Sequence, residues 1–125
     1  MKLRIEGNSL RFRLRKTEVE ALSRHESIGE STNFPHGVLQ YRVQLDSGID
    51  DLNAQILDNE IILYVPEKFG KPWYTNDIVG CENTLKLQNG STLSVLIEKD
   101  FVCLDRDLAS QHDQYPHPKG PSRKP

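Results

Sequence analysis

The chain has 125 residues, 36% of them apolar and 27% charged, and a net charge of −2. That is room for one domain with a core of its own, and a slightly acidic balance with a pI near 6.1 argues against a general nucleic-acid binder. No apolar run approaches the roughly 20 residues that a membrane-crossing helix needs, and "KLRIEG" at the start has no apolar signal core, so a cytoplasmic protein is expected.

The first elements form a hairpin. "KLRIE" and "SLRFRL" both alternate apolar and polar residues around Gly7-Asn8, a two-residue turn signal. Apolar side chains match only if Ile5 faces Leu10 and Leu3 faces Phe12. The same register puts Arg4 opposite Arg11 and Lys2 opposite Arg13 on the other face.

Thr17 and Glu20 have the T-x-x-E spacing of a capping box, and Val19, Ala21 and Leu22 supply the apolar positions of a short helix ending near Glu26. "GESTNF" and "GVLQYRVQL" read as strands joined at Phe34-Pro35-His36-Gly37. In the second of them Leu39, Tyr41, Val43 and Leu45 alternate with Gln40, Arg42 and Gln44. A further hairpin is expected at Asp58-Asn59. Pro66 suits a first helical turn, while Gly70 and Pro72 forbid a long one, leaving Phe69 and Trp73 to pack inward. The last hairpin spans "VGCENTLKLQ-NG-STLSVLIEKDFVCL". Pairing Leu87 with Leu93 and Leu85 with Val95 there requires a three-residue loop or a bulge.

These elements predict an α+β domain over 1–104 with seven or eight mostly antiparallel strands, in a curled sheet or small open barrel with one or two short helices. Residues 105–125 hold four of the seven prolines and read as a polar tail, its last part disordered.

Charge is segregated along the chain. Residues 1–24 contain seven basic and three acidic residues, net +4, and the other 101 carry net −6. Like charges opposed across strands destabilise by a few tenths to about 1 kcal/mol each. The Lys2, Arg4, Arg11 and Arg13 face therefore asks for compensation, either from the protein's own carboxylates or from an anion that guanidinium forks suit. Glu98, Lys99 and Asp100 interrupt the apolar run "SVLI…FVCL". They read either as a bulge or bend between two strands or as a polar site facing the basic patch, with Glu98 or Asp100 as base or metal ligand and Lys99 as a further anion contact.

Cys81 and Cys103 lack C-x-x-C spacing and are expected to be reduced and packed, a disulfide or a metal site with His112 or His117 being the alternative. His25 falls at a helix end, His36 in a turn, and His112 and His117 in the tail among Asp105, Asp107 and Asp113. No G-x-S-x-G elbow or Gly-rich phosphate loop is present, and no cofactor or metal is called for.

"KLRIEGNSLRFRL", a late "VLIEKDFVCL" and a closing "YPHP" resemble a family of small bacterial proteins without an established activity, over most of residues 1–118. The resemblance implies a single bacterial domain and adds little about chemistry. A looser likeness to triphosphate-tunnel enzymes lacks their E-x-E-x-K first strand, since this strand reads Lys2, Arg4, Glu6.

The expected function is a non-catalytic binding module whose basic face takes an anionic small molecule or an acidic protein segment. The alternative is a small hydrolase of phosphate compounds using that face with Glu98 or Asp100. A homodimer through an exposed strand edge is a third possibility, while nucleic acid and membrane are not expected as partners.

Overall fold

Local hairpins form where the alternating runs predict them, and their pairing with one another gives the fold its shape. The computed structural model describes residues 1–101 and 113–116. The first hairpin is β1 (Lys2–Glu6) with β2 (Ser9–Leu14), followed by α1 (Lys16–His25) and the long pair β3 (Ser27–Phe34) and β4 (Gly37–Asp46). Next come β5 (Asn53–Leu57) with β6 (Glu60–Pro66), the short α2 (Glu67–Gly70), a 3-10 turn at Trp73–Thr75, and β7 (Gly80–Lys86) with β8 (Thr92–Lys99).

The strands form two four-stranded sheets ordered β1-β2-β8-β7 and β3-β4-β6-β5. This corrects the expectation of one curled sheet or open barrel. In each sheet two antiparallel hairpins join through a parallel central pair, β2 with β8 and β4 with β6. Hairpin turns are encoded locally, but which hairpin lies beside which is a choice between distant segments that no short pattern records.

Both sheets feed one apolar cluster. Phe12, Leu14, Val95 and Ile97 come from the first, Val43, Leu45, Leu63 and Val65 from the second, and Val19 and Leu22 of α1 and Trp73 join them in the same cluster. The first hairpin has the expected register, Lys2 opposite Arg13 and Arg4 opposite Arg11. Gly7 supplies the positive φ that its turn requires. The last hairpin differs: Leu85 pairs with Leu93 and Lys86 with Thr92, and Leu87 N–H bonds to Ser91 O around a three-residue loop. The slip from the expected pairing is two residues, which leaves every side chain on its intended face. Burial pattern alone could not tell the two registers apart.

The helix also starts earlier than expected. Arg15 is the residue before α1, and Glu18, not Glu20, reaches back to accept its N–H at 2.8 Å. Thr17 instead donates its hydroxyl to Asp113 at 2.7 Å. Glu18 also accepts from the Arg15 side chain and the Met1 ammonium, and that ammonium meets Glu30 at 2.7 Å. Burial pushes the Glu18 carboxyl up, but hydrogen bonds from Arg15 and the Met1 ammonium outweigh it and hold the group down, from 4.5 to about 2.

A carboxylate whose folded pKa is depressed stabilises the fold above its unfolded value and loses that contribution as pH falls through the folded one. Glu18 is thus expected to contribute about 3 kcal/mol at neutral pH, withdrawn between pH 4.5 and 2. In urea titrations Glu18→Gln should lose most of that at pH 7 and converge with the parent near pH 2. Parallel acid profiles for the two proteins would contradict this.

Candidate functional site

The outer face of the first sheet gathers the basic residues. Parallel pairing places Glu98 beside Arg13 and Leu96 beside Arg11, so one row across the sheet reads Lys2, Arg13, Glu98 and the next Arg4, Arg11, Leu96, Glu82. Alternation sends Phe12 to the other face, where it is buried in the core.

Carboxylates of the same chain offset part of this charge. Glu98 Oε2 accepts from Arg13 Nε at 2.8 Å and lies 3.5 Å from Arg11 Nε. Lys2 Nζ stands 3.1 Å from Asp100 Oδ2, which also accepts from Gln114 Nε2 at 3.0 Å. Arg4 reaches Glu6 at 3.2 Å in a pair open to solvent on both sides. Such exposed pairs contribute about 0–1 kcal/mol.

Compensation is therefore uneven. Arg13 and Lys2 have partly or fully buried carboxylates. Arg4 and Arg11 face each other across the strands, Arg4 with only the exposed Glu6 and Arg11 with a Glu98 already engaged by Arg13. A concavity of about 160 Å³ lies here, lined by Lys2, Leu3, Arg4, Arg11 and Arg13. It is well below the ~300 Å³ that drug-sized ligands need, and of a size for one anionic group.

Glu98, Lys99 and Asp100 do not form one cluster. β8 pairs with β2 without interruption from Ser94 to Lys99, so there is no bulge at Glu98. Strand alternation sends Glu98 and Asp100 toward the basic face and Lys99 through the sheet. Lys99 is 4% exposed, donates to Asn76 O at 2.6 Å and lies over the rings of Tyr115 (4.9 Å) and Trp73 (5.8 Å). Burial pushes its ammonium pKa down, opposed by the nearby Asp77 charge. Lys99 is thus an interior cation held by a carbonyl and two π-faces, away from any anion on the basic face.

Residues 113–116 also contribute to this region. Tyr115 N–H bonds to Asp100 O, Lys16 N–H to Asp113 O, and the Tyr115 ring meets Phe101 at 5.9 Å. One signal was present in the sequence: Tyr115 is the single aromatic residue after Phe101. A second charged spot, Arg42 Nε on Glu60 Oε2 at 3.0 Å, lies on the outer face of the other sheet. It is a balanced pair beside a concavity of about 310 Å³.

The other expected residues scatter. His25 ends α1 and His36 sits in the β3–β4 turn. Cys81 is half-buried, and burial pushes its thiol up to about 11, far from thiolate chemistry at neutral pH. Cys103, His112, His117 and the rest of the tail outside 113–116 lie outside the described residues. Among the described residues no group of three His, Cys, Asp or Glu side chains could hold a metal ion, and no helix is long and apolar enough to cross a membrane.

A family model, described as a family of unknown function, DUF7009, matches residues 1–119. The chain belongs to DUF7009. The match covers both sheets and also the docked residues 113–116. No curated protein and no solved structure matches the chain.

Proposed function

We propose that this DUF7009 chain is a non-catalytic binding module that receives one anionic group of its partner, a phosphate or a carboxylate, between Arg4 and Arg11. The carrying observation is that two arginines stand opposite each other in register, Arg4 held only by the exposed Glu6 and Arg11 only at 3.5 Å by a Glu98 already engaged with Arg13, in a concavity sized for one anionic group. An incoming anion would relieve the repulsion and engage two donor forks. Lys2 and Arg13 border the concavity as supporting charge.

Among the described residues the strands of the basic face carry no aromatic ring for a base to stack on, which disfavours nucleic acid. A phosphate-compound hydrolase is the weaker reading. Glu98 and Asp100 would each have to leave two donors before acting as a base. The bacterial, cytoplasmic setting expected from the sequence belongs with this proposal.

The test is a thermal-shift series with inorganic phosphate and an acidic peptide at matched ionic strength, with and without Mg²⁺. Arg11→Ala should leave unliganded stability within about 0.5 kcal/mol, because its ion pair is long, only partly buried and made to a Glu98 that Arg13 already holds, yet abolish the anion response. Glu98→Gln should lower stability by about 1–2 kcal/mol, freeing both arginines to repel, and should enlarge the anion response. A response that survives Arg11→Ala, or no response in either the parent or Glu98→Gln, overturns the proposal. Dependence on Mg²⁺ would favour the hydrolase.

A further inference from the structure

The four sheet edges are not equally protected. β1 carries Lys2, Arg4 and Glu6, β3 carries Glu30, and β7 carries Glu82 and Lys86, while β5 reads Asn-Ala-Gln-Ile-Leu with no charge, proline or glycine. Charged side chains and prolines are the usual devices that keep an edge from pairing. β5 instead presents Ile56 at 68% and Leu57 at 51% exposure, side by side on the strand. Among the described residues its outer edge has no strand beside it.

The phase of its free hydrogen-bonding groups follows from the turn. The two-residue turn at Asp58-Asn59 closes with Leu57 opposite Glu60, so Leu57, Gln55 and Asn53 bond to β6. Ala54 and Ile56 therefore point their N–H and C=O groups outward. The Ala54 N–H is indeed satisfied locally, by Asn53 Oδ1 at 2.9 Å.

We infer that β5 is a self-pairing edge and that its occupant is β5 of a second copy of this chain. A two-fold axis normal to the sheet at Gln55 places Ala54 of each copy opposite Ile56 of the other. Both outward-facing residues then pair twice, forming four backbone hydrogen bonds. Asn53 Oδ1 gives up the Ala54 N–H to the partner carbonyl. The two sheets become one eight-stranded sheet, closed by symmetry rather than open to fibre growth. The register brings no like charges together, whereas a two-fold on β1 at Arg4 would oppose two arginines. Ile56 packs on Ala54 of the other copy and Leu57 beside its Asn53. This inference stands apart from the anion site, which lies on the other sheet.

Sedimentation equilibrium of the full chain at about 100 µM, a concentration that populates micromolar dimers, is expected to give twice the 14.3 kDa monomer mass. In hydrogen exchange the amides of Ala54 and Ile56 should gain protection with concentration while that of Gln55 does not. Ile56→Lys, at a position open to solvent in the monomer, should weaken association at least tenfold with an unchanged melting temperature at low concentration. Ala54→Pro should likewise weaken association, by removing an outward N–H that β6 does not use and that only Asn53 Oδ1 accepts in the monomer. A monomeric parent protein overturns the inference, whether the edge is bare or covered by another segment of the chain. A dimer that survives Ile56→Lys overturns it equally.

Discussion

Gly80→Ala is expected to cost about 3 kcal/mol, a fall of roughly 10 °C in melting temperature for a domain of this size. Gly80 begins β7 directly opposite Glu98. A Cβ there would sit 2.1 Å from the carbonyl oxygen of Ile97 and 2.8 Å from the Cα of Glu98. These are backbone atoms of a central strand, and they cannot rotate away. The chains must separate where Glu98 is held against Arg13, so the anion response should change together with stability. Gly70→Ala is the control. Its Cβ would fall 2.2 Å from Leu45 Cδ2, the free end of a side chain that can turn aside, and about 1 kcal/mol is expected. Chemical denaturation of both variants checks the contrast. Equal losses would mean that β8 yields as easily as a leucine methyl.

Trp73→Ala should be costlier still, at about 3–5 kcal/mol, and would leave the domain near its unfolding threshold. Trp73 is fully buried, packs its ring 5.1 Å from that of Phe69 and donates Nε1–H to Ile78 O at 2.7 Å. It also forms one wall around the Lys99 ammonium. Truncation opens a cavity, orphans a carbonyl and withdraws one of the two π-faces from an interior cation. Trp73→Phe keeps much of the volume and loses the hydrogen bond, so about 1–2 kcal/mol is expected. Urea midpoints for the two variants, with near-UV dichroism to follow tertiary packing, measure both. A Trp73→Ala protein within 1 kcal/mol of its parent would show that the core closes over the gap.

The basic face was legible in the sequence because a two-residue turn and strict alternation leave the first hairpin one register, which places Arg4 against Arg11 and Lys2 against Arg13. The turn at Asp58-Asn59 and the inward packing of Phe69 and Trp73 were legible for the same reason: each depends on residues a few positions apart. The start of α1 was not. Glu18 and Glu20 lie two residues apart with similar local credentials, and contacts with the Met1 ammonium and Asp113, distant in sequence, select Glu18 and redirect Thr17.

Sequence by itself determined the hairpins, the faces of their strands and the segregation of positive charge to one end of the chain. Tertiary structure decided that four hairpins make two sheets through parallel central pairs. It also placed Glu98 between Arg11 and Arg13, turned Lys99 inward to Trp73 and Tyr115, and left the uncharged β5 at an edge with no strand beside it among the described residues. The physical reason is the range of the interactions. Turn geometry and side-chain alternation act within a few residues and write themselves into local pattern. Strand neighbours and ion-pair partners can lie some 85 positions apart, as Arg13 and Glu98 do, and are selected by the joint burial of the whole core.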